Sequence, residues 1–280
     1  MISEALHAKL LGELKGKLVP LADKPDETPA FTLHALIEKS GGDEAVVGEL
    51  VRRRIDGVPL SHLTGRQIFM GIEMLAGPEA LIPRKETEIV CRGALSRLPT
   101  QGACRVIDVC CGAGNLGLAI AMLRPEAVVT GSDLSVEAVA LANRNVAFLG
   151  VSDRVSFQAG DLFAPFDTTE YTGQIDLIIC NPPYISSARV DQMPREIAAF
   201  EPRLAFDGGP FGVRILTRLV REARKFLKPD SWLAFEVGLG QGPAMQKILQ
   251  GSPLYQDVES LPDEGGETRA LLARAAVDRV

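Results

Sequence analysis

Asn181-Pro182-Pro183-Tyr184 follows the apolar run Ile175-Asp176-Leu177-Ile178-Ile179-Cys180. A tetrapeptide of that composition at a strand's carboxyl end can hold a planar NH2 group. The Asn181 side-chain oxygen and the Pro182 carbonyl can each accept one hydrogen from such a group. The two prolines lock φ and remove backbone donors, which fixes the frame that presents those acceptors. The ring of Tyr184 can stack on the substrate plane. Amide and aminopurine nitrogens are poor nucleophiles because their lone pair is delocalised. Two acceptors that orient and polarise the N–H bonds help turn that lone pair toward an electrophile. The chemistry these residue types can do is group transfer onto a planar nitrogen.

A second cluster lies upstream, in Asp108-Val109-Cys110-Cys111-Gly112-Ala113-Gly114. Gly112 and Gly114 let the backbone turn tightly and approach a ligand with no Cβ in the way. Asp133 falls at the end of the next expected strand, where a carboxylate can accept both ribose hydroxyls of an adenosine. Asp161, after the third strand, can contact the adenine amino group, with Leu162 packing on the base. Gly112 to Gly117 also fits G-x-G-x-x-G, a pattern that carries little weight alone and admits a nicotinamide reading. Two features favour S-adenosylmethionine. Asp108 stands on the strand before the glycine loop, placed for a cationic amino-acid moiety rather than a pyrophosphate. Hydride transfer, moreover, has no use for Asn-Pro-Pro-Tyr after the fourth strand. The reading is methyl transfer by in-line displacement, leaving S-adenosylhomocysteine. It needs no His or Cys, since the amide proton can leave to water after the transfer.

The elements that must position these residues alternate. Strands are expected at 105–110, 128–131, 155–158, 175–180 and 232–237. Helices are expected at 116–123, at 135–149 with Ser135 as cap and Gly150 as stop, and at 213–226. A helix over 86–98 precedes them. Strand–helix alternation at this spacing gives a parallel sheet covered by helices on both faces. The first third reads differently. Leu6, Leu10, Leu14 and Leu18 recur at helical spacing. Further helices are expected over 31–39 and 43–56, the latter with Val46, Val47, Leu50, Val51 and Ile55 as its stripe and Gly57 as its stop. Gln67 to Leu81, broken by Gly71 and Gly77-Pro78, reads as a hairpin connector. The expected division is a helical unit over 1–66, a hairpin linker over 67–82 and a catalytic unit over 83–280.

At 280 residues, 46% of them hydrophobic and 24% charged, the chain suits one large domain and a small one. No stretch approaches the roughly 20 apolar residues of a membrane span. Met1-Ile2-Ser3-Glu4 lacks the basic and apolar regions of a signal peptide. The five cysteines form no Cys-x-x-Cys pair, which argues against zinc. Inside apolar runs they act as small hydrophobes, as suits a reducing cytoplasm. Cys110 and Cys111 admit either that role or redox activity. A net charge of −6 argues against bulk nucleic-acid binding, which calls for a basic face. Arg52-Arg53-Arg54 reads as the solvated side of a helix. His34 and His62 read as surface or linker residues.

Taken together, these residues resemble the HemK/PrmC family of glutamine-N5 methyltransferases, which modify the Gln of the Gly-Gly-Gln motif in class 1 peptide release factors. The resemblance runs from Pro59 onward. Pro59 to Gly65 is similar to the family's segment entering its linker, and Leu81-Ile82-Pro83-Arg84-Lys85-Glu86-Thr87-Glu88 to its Ile-Pro-Arg-Pro-x-Thr-Glu stretch. Asn181 to Tyr184 matches its signature, and Phe200 to Phe206 its Glu-Pro loop. Glu236-Val237-Gly238 with Gln241-Gly242 resembles a later strand and turn, and Glu267-Thr268-Arg269 a closing strand. The resemblance implies a class I S-adenosylmethionine-dependent methyltransferase fold: a Rossmann-like seven-stranded α/β sheet, preceded by a small helical substrate-docking domain. By position it implies Asp108, Cys110, Cys111, Gly112, Ala113, Gly114, Asp133, Asp161, Leu162 and Asn181 as cofactor contacts, and Asn181, Pro182, Pro183 and Tyr184 as the catalytic set.

Two departures stand out. Cys110 replaces the first glycine of the family loop, and a side chain there calls for a backbone that avoids φ > 0. Around Phe31 to Leu36 the family's usual Asp-Ala-x-x-Leu-Leu pattern is absent. Two alternatives follow: a diverged relative acting on another protein or a small-molecule nitrogen, and adenine-N6 methylation of nucleic acid. Arg84 and Glu88 admit two readings, an ion pair on a helix face or the border of the active site. Asp207-Gly208-Gly209 reads as a turn beside the pocket.

Overall fold

The computed structural model describes residues 2–18, 27–193 and 195–277. Its centre is a seven-stranded sheet. Five strands run parallel: β3 (Cys104–Val109), β4 (Ala127–Asp133), β5 (Val155–Ala159), β6 (Ile175–Cys180) and β7 (Leu227–Glu236); β8 (Tyr255–Pro262) and β9 (Thr268–Ala275) complete it. To keep numbering in chain order, the labels β1 and β2 belong to the short hairpin Arg66–Phe69 and Ile72–Leu75. The sheet order is β5-β4-β3-β6-β7-β9-β8, with β9 antiparallel to both neighbours. The order reverses between β3 and β6, so their carboxyl ends open a crevice, the usual ligand site of an open α/β sheet. Cys180 of β6 lies opposite Val109 of β3 and Phe235 of β7. That register brings Cys110, Asn181 and Glu236 together at one edge.

Both faces of the sheet are covered. One apolar core joins α5 (Thr87–Leu95), α6 (Asn115–Leu123) and α7 (Val136–Leu149) to the sheet through Val90, Leu118, Ile120, Val129 and Leu177. The other packs Phe166, Leu216, Leu219, Phe226, Phe235 and Leu249 on the opposite face. Each large side chain wholly removed from water contributes roughly 1.5–3 kcal/mol.

The amino-terminal helices α1 (Glu4–Lys17), α2 (Pro29–Lys39), α3 (Glu44–Ile55) and α4 (Leu60–Thr64) share a separate core built from Leu10, Leu14, Leu33, Leu36, Val47 and Val51. Thr28 caps α2 by accepting from the Phe31 N–H, and Asp43 caps α3 by accepting from Ala45 and Val46. The β1–β2 hairpin turns at Met70 and Gly71, both with positive φ (52° and 77°). That is the two-residue turn whose twist matches the strands it joins. Asn145 of α7 is wholly buried and fastens the hairpin to the sheet. It accepts from the Leu75 N–H at 2.7 Å and donates to the carbonyls of Leu75 and Ala113 at 3.1 Å each.

Differences from the expected elements are local. Val46 is exposed rather than part of the α3 stripe. Arg54, expected in solvent, is buried and pairs with Glu27 at 3.2 Å. β7 begins at Leu227, five residues before the expected Trp232. Helix α4, strand β8 and the helix Gly242–Gln250 have no counterpart among the expected elements. No helix among the described residues is long and apolar enough to cross a membrane.

Candidate active site

The glycine loop runs from the end of β3 into α6. Gly112 and Gly114 take positive φ (54° and 81°), and so does Cys110 (φ 56°). The expectation that a cysteine here avoids the left-handed region is therefore wrong. The turn out of β3 demands that conformation, and the left-handed well admits a side chain at a cost of roughly 1–2 kcal/mol. A Cβ on Gly112 would meet nothing within 4 Å, so this part of the loop faces open space. A Cβ on Gly114 would stand 2.9 Å from the Phe157 ring, so that glycine serves packing. Ala113 is buried.

Asp133 ends β4. Its Oδ2 accepts from the Gly112 N–H and its Oδ1 from the Ser135 N–H, each at 2.9 Å. Burial pushes its pKa up, and those N–H bonds oppose the shift. Each oxygen keeps a second lone pair for a hydroxyl. Asp108 lies behind the loop, fully buried, with Oδ2 accepting from Gly117 N at 2.8 Å and Oδ1 without a hydrogen-bond partner. Burial pushes its carboxyl up to about 7; the Gly117 N–H lowers it, and Asp133 adds to the rise.

Asn181 follows β6 directly. Its Nδ2 donates to Thr87 Oγ1 at 3.1 Å, which turns Oδ1 away from Thr87. Pro182 is buried. Tyr184 donates its hydroxyl to Glu236 Oε1 at 2.9 Å, and its carbonyl accepts from Gln241 Nε2 at 3.0 Å. The ring lies against Gly238, where a Cβ would stand 2.9 Å from Tyr184 Cδ2. Burial pushes Glu236 up to about 7, against the Thr87 and Tyr184 hydroxyls and Arg269, which lower it.

Cys110, Cys111, Gly112, Asp133, Asp161, Leu162, Asn181 and Pro183 all line one cleft of about 570 Å³, joined by Glu79, Leu134, Leu204 and Asp207. Asp161 is held by Arg218 Nη1, 3.0 Å from both its oxygens. Leu162 has φ 49°, and its carbonyl accepts from Ser132 Oγ at 2.5 Å. Asp108, Ala113 and Gly114 are buried beneath the loop, and Pro182 and Tyr184 flank Pro183 in the turn that lines the cleft. Of the two readings of Arg84 and Glu88, the ion pair between them does not form: Arg84 pairs with Glu201 of the Glu-Pro loop, and Glu88 pairs with Arg92 at 2.8 Å. Asp207 joins Ile185 in an isolated bridge, and Gly208 donates to the Ile185 carbonyl at 2.8 Å, so this turn packs on the chain leaving Tyr184. Reading the sequence for chemistry passed over Thr87, which carries no charge and sits 94 residues from Asn181. Its only signal was its place in the Ile-Pro-Arg stretch.

Comparison with known proteins agrees with this geometry. The model of the family "Methyltransferase small domain" matches residues 85–209. A release factor glutamine methyltransferase from Moorella thermoacetica is 36% identical over 225 residues, covering 80% of this chain and 78% of that one. Its counterpart from Salmonella typhimurium is 35% identical over 228 residues, covering 81% and 79%. Among solved structures, a methyltransferase from Pyrococcus furiosus superposes with a TM-score of 0.52 at 17% identity, covering 74% of this chain and 91% of that one, a likeness of fold alone. With a cleft at the sheet's switch point, Asn-Pro-Pro-Tyr on its wall and relatives matched over most of their length, the chain belongs to the release factor glutamine methyltransferase family.

Proposed function

We propose that this protein transfers the methyl group of S-adenosylmethionine to N5 of the Gln in the Gly-Gly-Gln motif of class 1 peptide release factors, in the cytoplasm. The observation that carries the reading is the setting of Asn181. Its NH2 is engaged by Thr87, which leaves Oδ1 as an acceptor on the cleft wall.

The cleft fits the donor by its own chemistry. Gly112 presents backbone where a Cβ would occupy open space, and Asp133 offers two anchored carboxylate oxygens for ribose hydroxyls. Asp161 and Leu162 line the same cleft as Asp133, and we assign them to the adenine base. Asp108, with its unpartnered buried oxygen, supplies negative potential behind the loop for a cationic group. S-adenosylmethionine supplies an electrophilic methyl group.

The remaining work belongs to side chains and backbone. Asn181 Oδ1 and the Pro182 carbonyl accept the two N–H bonds of the substrate amide, which orients its nitrogen lone pair toward the cleft. The prolines hold those acceptors at fixed separation. Tyr184, anchored at both its hydroxyl and its carbonyl, fixes the far end of the turn. The proton released from nitrogen passes to water. We assign residues 1–66 to substrate docking, 67–82 to a hairpin linker and 83–280 to catalysis.

The test is a transfer assay with methyl-labelled donor and a purified class 1 release factor beside its Gln→Ala variant. Label on the unaltered factor alone is expected. Absence of label, with donor binding retained by calorimetry, would reject the release factor as substrate. Asn181→Ala is expected to abolish transfer while keeping donor binding, and turnover retained by that variant would refute the mechanism.

A further inference from the structure

Two β-turns packed on the Asn-Pro-Pro-Tyr turn carry apolar side chains that stand in solvent. Gly209-Pro210-Phe211-Gly212 is closed by the Gly212 N–H on the Gly209 carbonyl at 3.1 Å, with proline in its second place. Gly238-Leu239-Gly240-Gln241 is closed by the Gln241 N–H on the Gly238 carbonyl at 3.0 Å. Gly240 supplies the positive φ (79°) that the third place of a type II turn requires. Gly209, Gly212 and Gly238 are buried, whereas Phe211 is 85% exposed and Leu239 62% exposed.

One side chain ties both turns to the site. Gln241 Oε1 accepts from the Gly238 N–H at 2.9 Å, and its Nε2 donates to the carbonyls of Tyr184 at 3.0 Å and Gly212 at 3.3 Å. The residue after Phe211 and the residue before Leu239 are thus held by a single amide group. The loop of the first turn lies directly on the backbone of the site: a Cβ on Gly208 would stand 2.6 Å from the Pro183 carbonyl oxygen. Asp207 and Arg214, on either side of that turn, line the cleft. Leu239 lies just past the end of β7, at the sheet edge where Asn181 leaves β6.

A lone exposed leucine is ordinary on a protein surface. A phenylalanine and a leucine on hydrogen-bonded turns, joined by one amide to the turn that takes the substrate, form a pre-ordered apolar contact. Aromatic side chains are enriched where proteins meet, and ordering them beforehand removes part of the entropy cost of association. The chemistry of the site names the occupant. A Gln side chain spans roughly 5 Å from Cα to its amide nitrogen. A glutamine whose NH2 reaches Asn181 Oδ1 and the Pro182 carbonyl therefore brings its own backbone close to this turn. At about 3.5 Å per residue, a polypeptide entering or leaving there meets the two turn tips within a few residues. A free small amide has no flanking residues to place on them.

We propose that Phe211 and Leu239 form an apolar docking contact for the acceptor protein, receiving the residues that flank its reactive glutamine, with Gln241 positioning both. The proposal rests on the reading of Asn181 to Tyr184 as the site of the substrate amide. It divides recognition in two: Asn181 and Pro182 take the side chain, and Phe211 and Leu239 take the segment that carries it.

Phe211→Ser, Leu239→Ser and the double variant are assayed with methyl-labelled donor and a purified class 1 release factor. Both side chains are exposed, so the variants are expected to fold, and urea unfolding checks this. The double variant is expected to raise the release-factor KM about 5- to 30-fold, the scale of losing anchors from a protein interface. Its kcat, and its donor Kd by calorimetry, should change less than about threefold, the pattern of lost binding that substrate and transition state share. Phe211→Leu, which keeps an apolar tip, should hold KM within about threefold of the unaltered enzyme. Val128→Ser alters another exposed apolar residue, at the amino end of β4 on the opposite edge of the sheet, and is expected to leave KM unchanged. Binding of the release factor to enzyme loaded with S-adenosylhomocysteine, followed by calorimetry, should weaken in the double variant by the same factor as KM. An unchanged KM in the double variant would overturn the proposal, as would an equal rise in Val128→Ser or loss of donor binding in step with activity. Sedimentation showing a dimer that the double variant dissolves would assign the contact to a second copy of the chain instead. Absence of label with the unaltered enzyme would reject the release-factor reading and this contact with it, whereas label with KM unchanged in the double variant rejects the contact alone.

Discussion

Glu201 closes on Ile82: its Oε2 accepts the Ile82 N–H at 2.9 Å while its other oxygen pairs with Arg84. Both side chains are largely withdrawn from water, Arg84 at 14% and Glu201 at 2% exposure. The contact ties the segment that lines the cleft with Pro202 to Ala205 to the stretch that leads into α5. Removing Glu201 takes the acceptor from the buried Ile82 N–H and from one arm of the Arg84 guanidinium, and a buried donor so deprived costs roughly 1–3 kcal/mol, more where it is charged. Glu201→Ala is therefore expected to lose about 3 kcal/mol in urea unfolding. Glu201→Gln, which can still accept from Ile82, should lose less.

Cys110 sits at φ 56°, so substitutions there separate backbone strain from chemistry. Glycine adopts this conformation freely, at an entropic cost of roughly 0.5–1 kcal/mol that offsets most of the strain relieved. Cys110→Gly is expected to unfold within about 1 kcal/mol of the unaltered protein and to keep its activity. A β-branched residue is a genuine outlier at positive φ, and Cys110→Val should cost about 2 kcal/mol or more. Paired unfolding curves in urea check both. Loss of transfer in Cys110→Gly would instead assign the thiol a chemical role.

Asp108 and Glu236 are both pushed up to about 7, burial being the largest cause in each. Their folded values exceed those of the unfolded chain, near 4 for carboxylates. Between those limits the native state keeps protons that the unfolded chain has released. The stability they contribute is thus fully present below about pH 4 and is lost as pH rises toward 7. Asp108→Asn removes one of these liabilities and keeps an acceptor for Gly117. It is expected to match the unaltered protein at pH 4 and to exceed it by on the order of 2 kcal/mol at pH 8. Thermal or urea unfolding at the two pH values gives the answer.

Gly212 has φ 70°, and a Cβ there would stand 2.2 Å from the Tyr184 carbonyl oxygen. The same carbonyl accepts from Gln241, so an added methyl must push the Asn181 to Tyr184 turn out of place. A misplacement of about 1 Å can cost 100-fold in rate. Gly212→Ala is expected to lower kcat at least 10-fold while donor affinity, set on the other side of the cleft at Asp133, changes little. Steady-state kinetics beside calorimetry would show the split.

What the residues revealed in advance tracks how local each determinant is. The strand Ile175–Cys180 was readable to the residue, because a continuous apolar run ends where two prolines forbid continuation. The cap at Ser135 and the stop at Gly150 were equally legible, being set by side chains within a few positions. Cys110, Cys111 and Gly112 of the glycine loop line one cleft with Asp133, Asp161, Leu162 and Asn181, because each lies at or just past the carboxyl end of a neighbouring strand of the sheet. β8 escaped because it is an outer strand of half-exposed residues with a shift in its pairing register, which blurs any alternation. The conformation of Cys110 escaped because a turn between layers imposed it against the residue's own preference. The partners of the Asn181 to Tyr184 turn escaped for a related reason: none is near it in sequence, and it is the start of α5 that brings Thr87 to Asn181 and the register of β6 on β7 that brings Glu236 to Tyr184.

Asn145 grips the carbonyl of Ala113 with the same side chain that holds Leu75 at both its N–H and its carbonyl. The hairpin leaving the amino-terminal helices and the loop at the cleft floor are therefore referenced to a single atom cluster. Three hydrogen bonds of 2.7 to 3.1 Å hold that junction, so it resists shear in a way that an apolar contact, which slides, does not. Slack introduced at the Leu75 end is thereby felt at Ala113, inside the turn that carries Gly112 and Gly114.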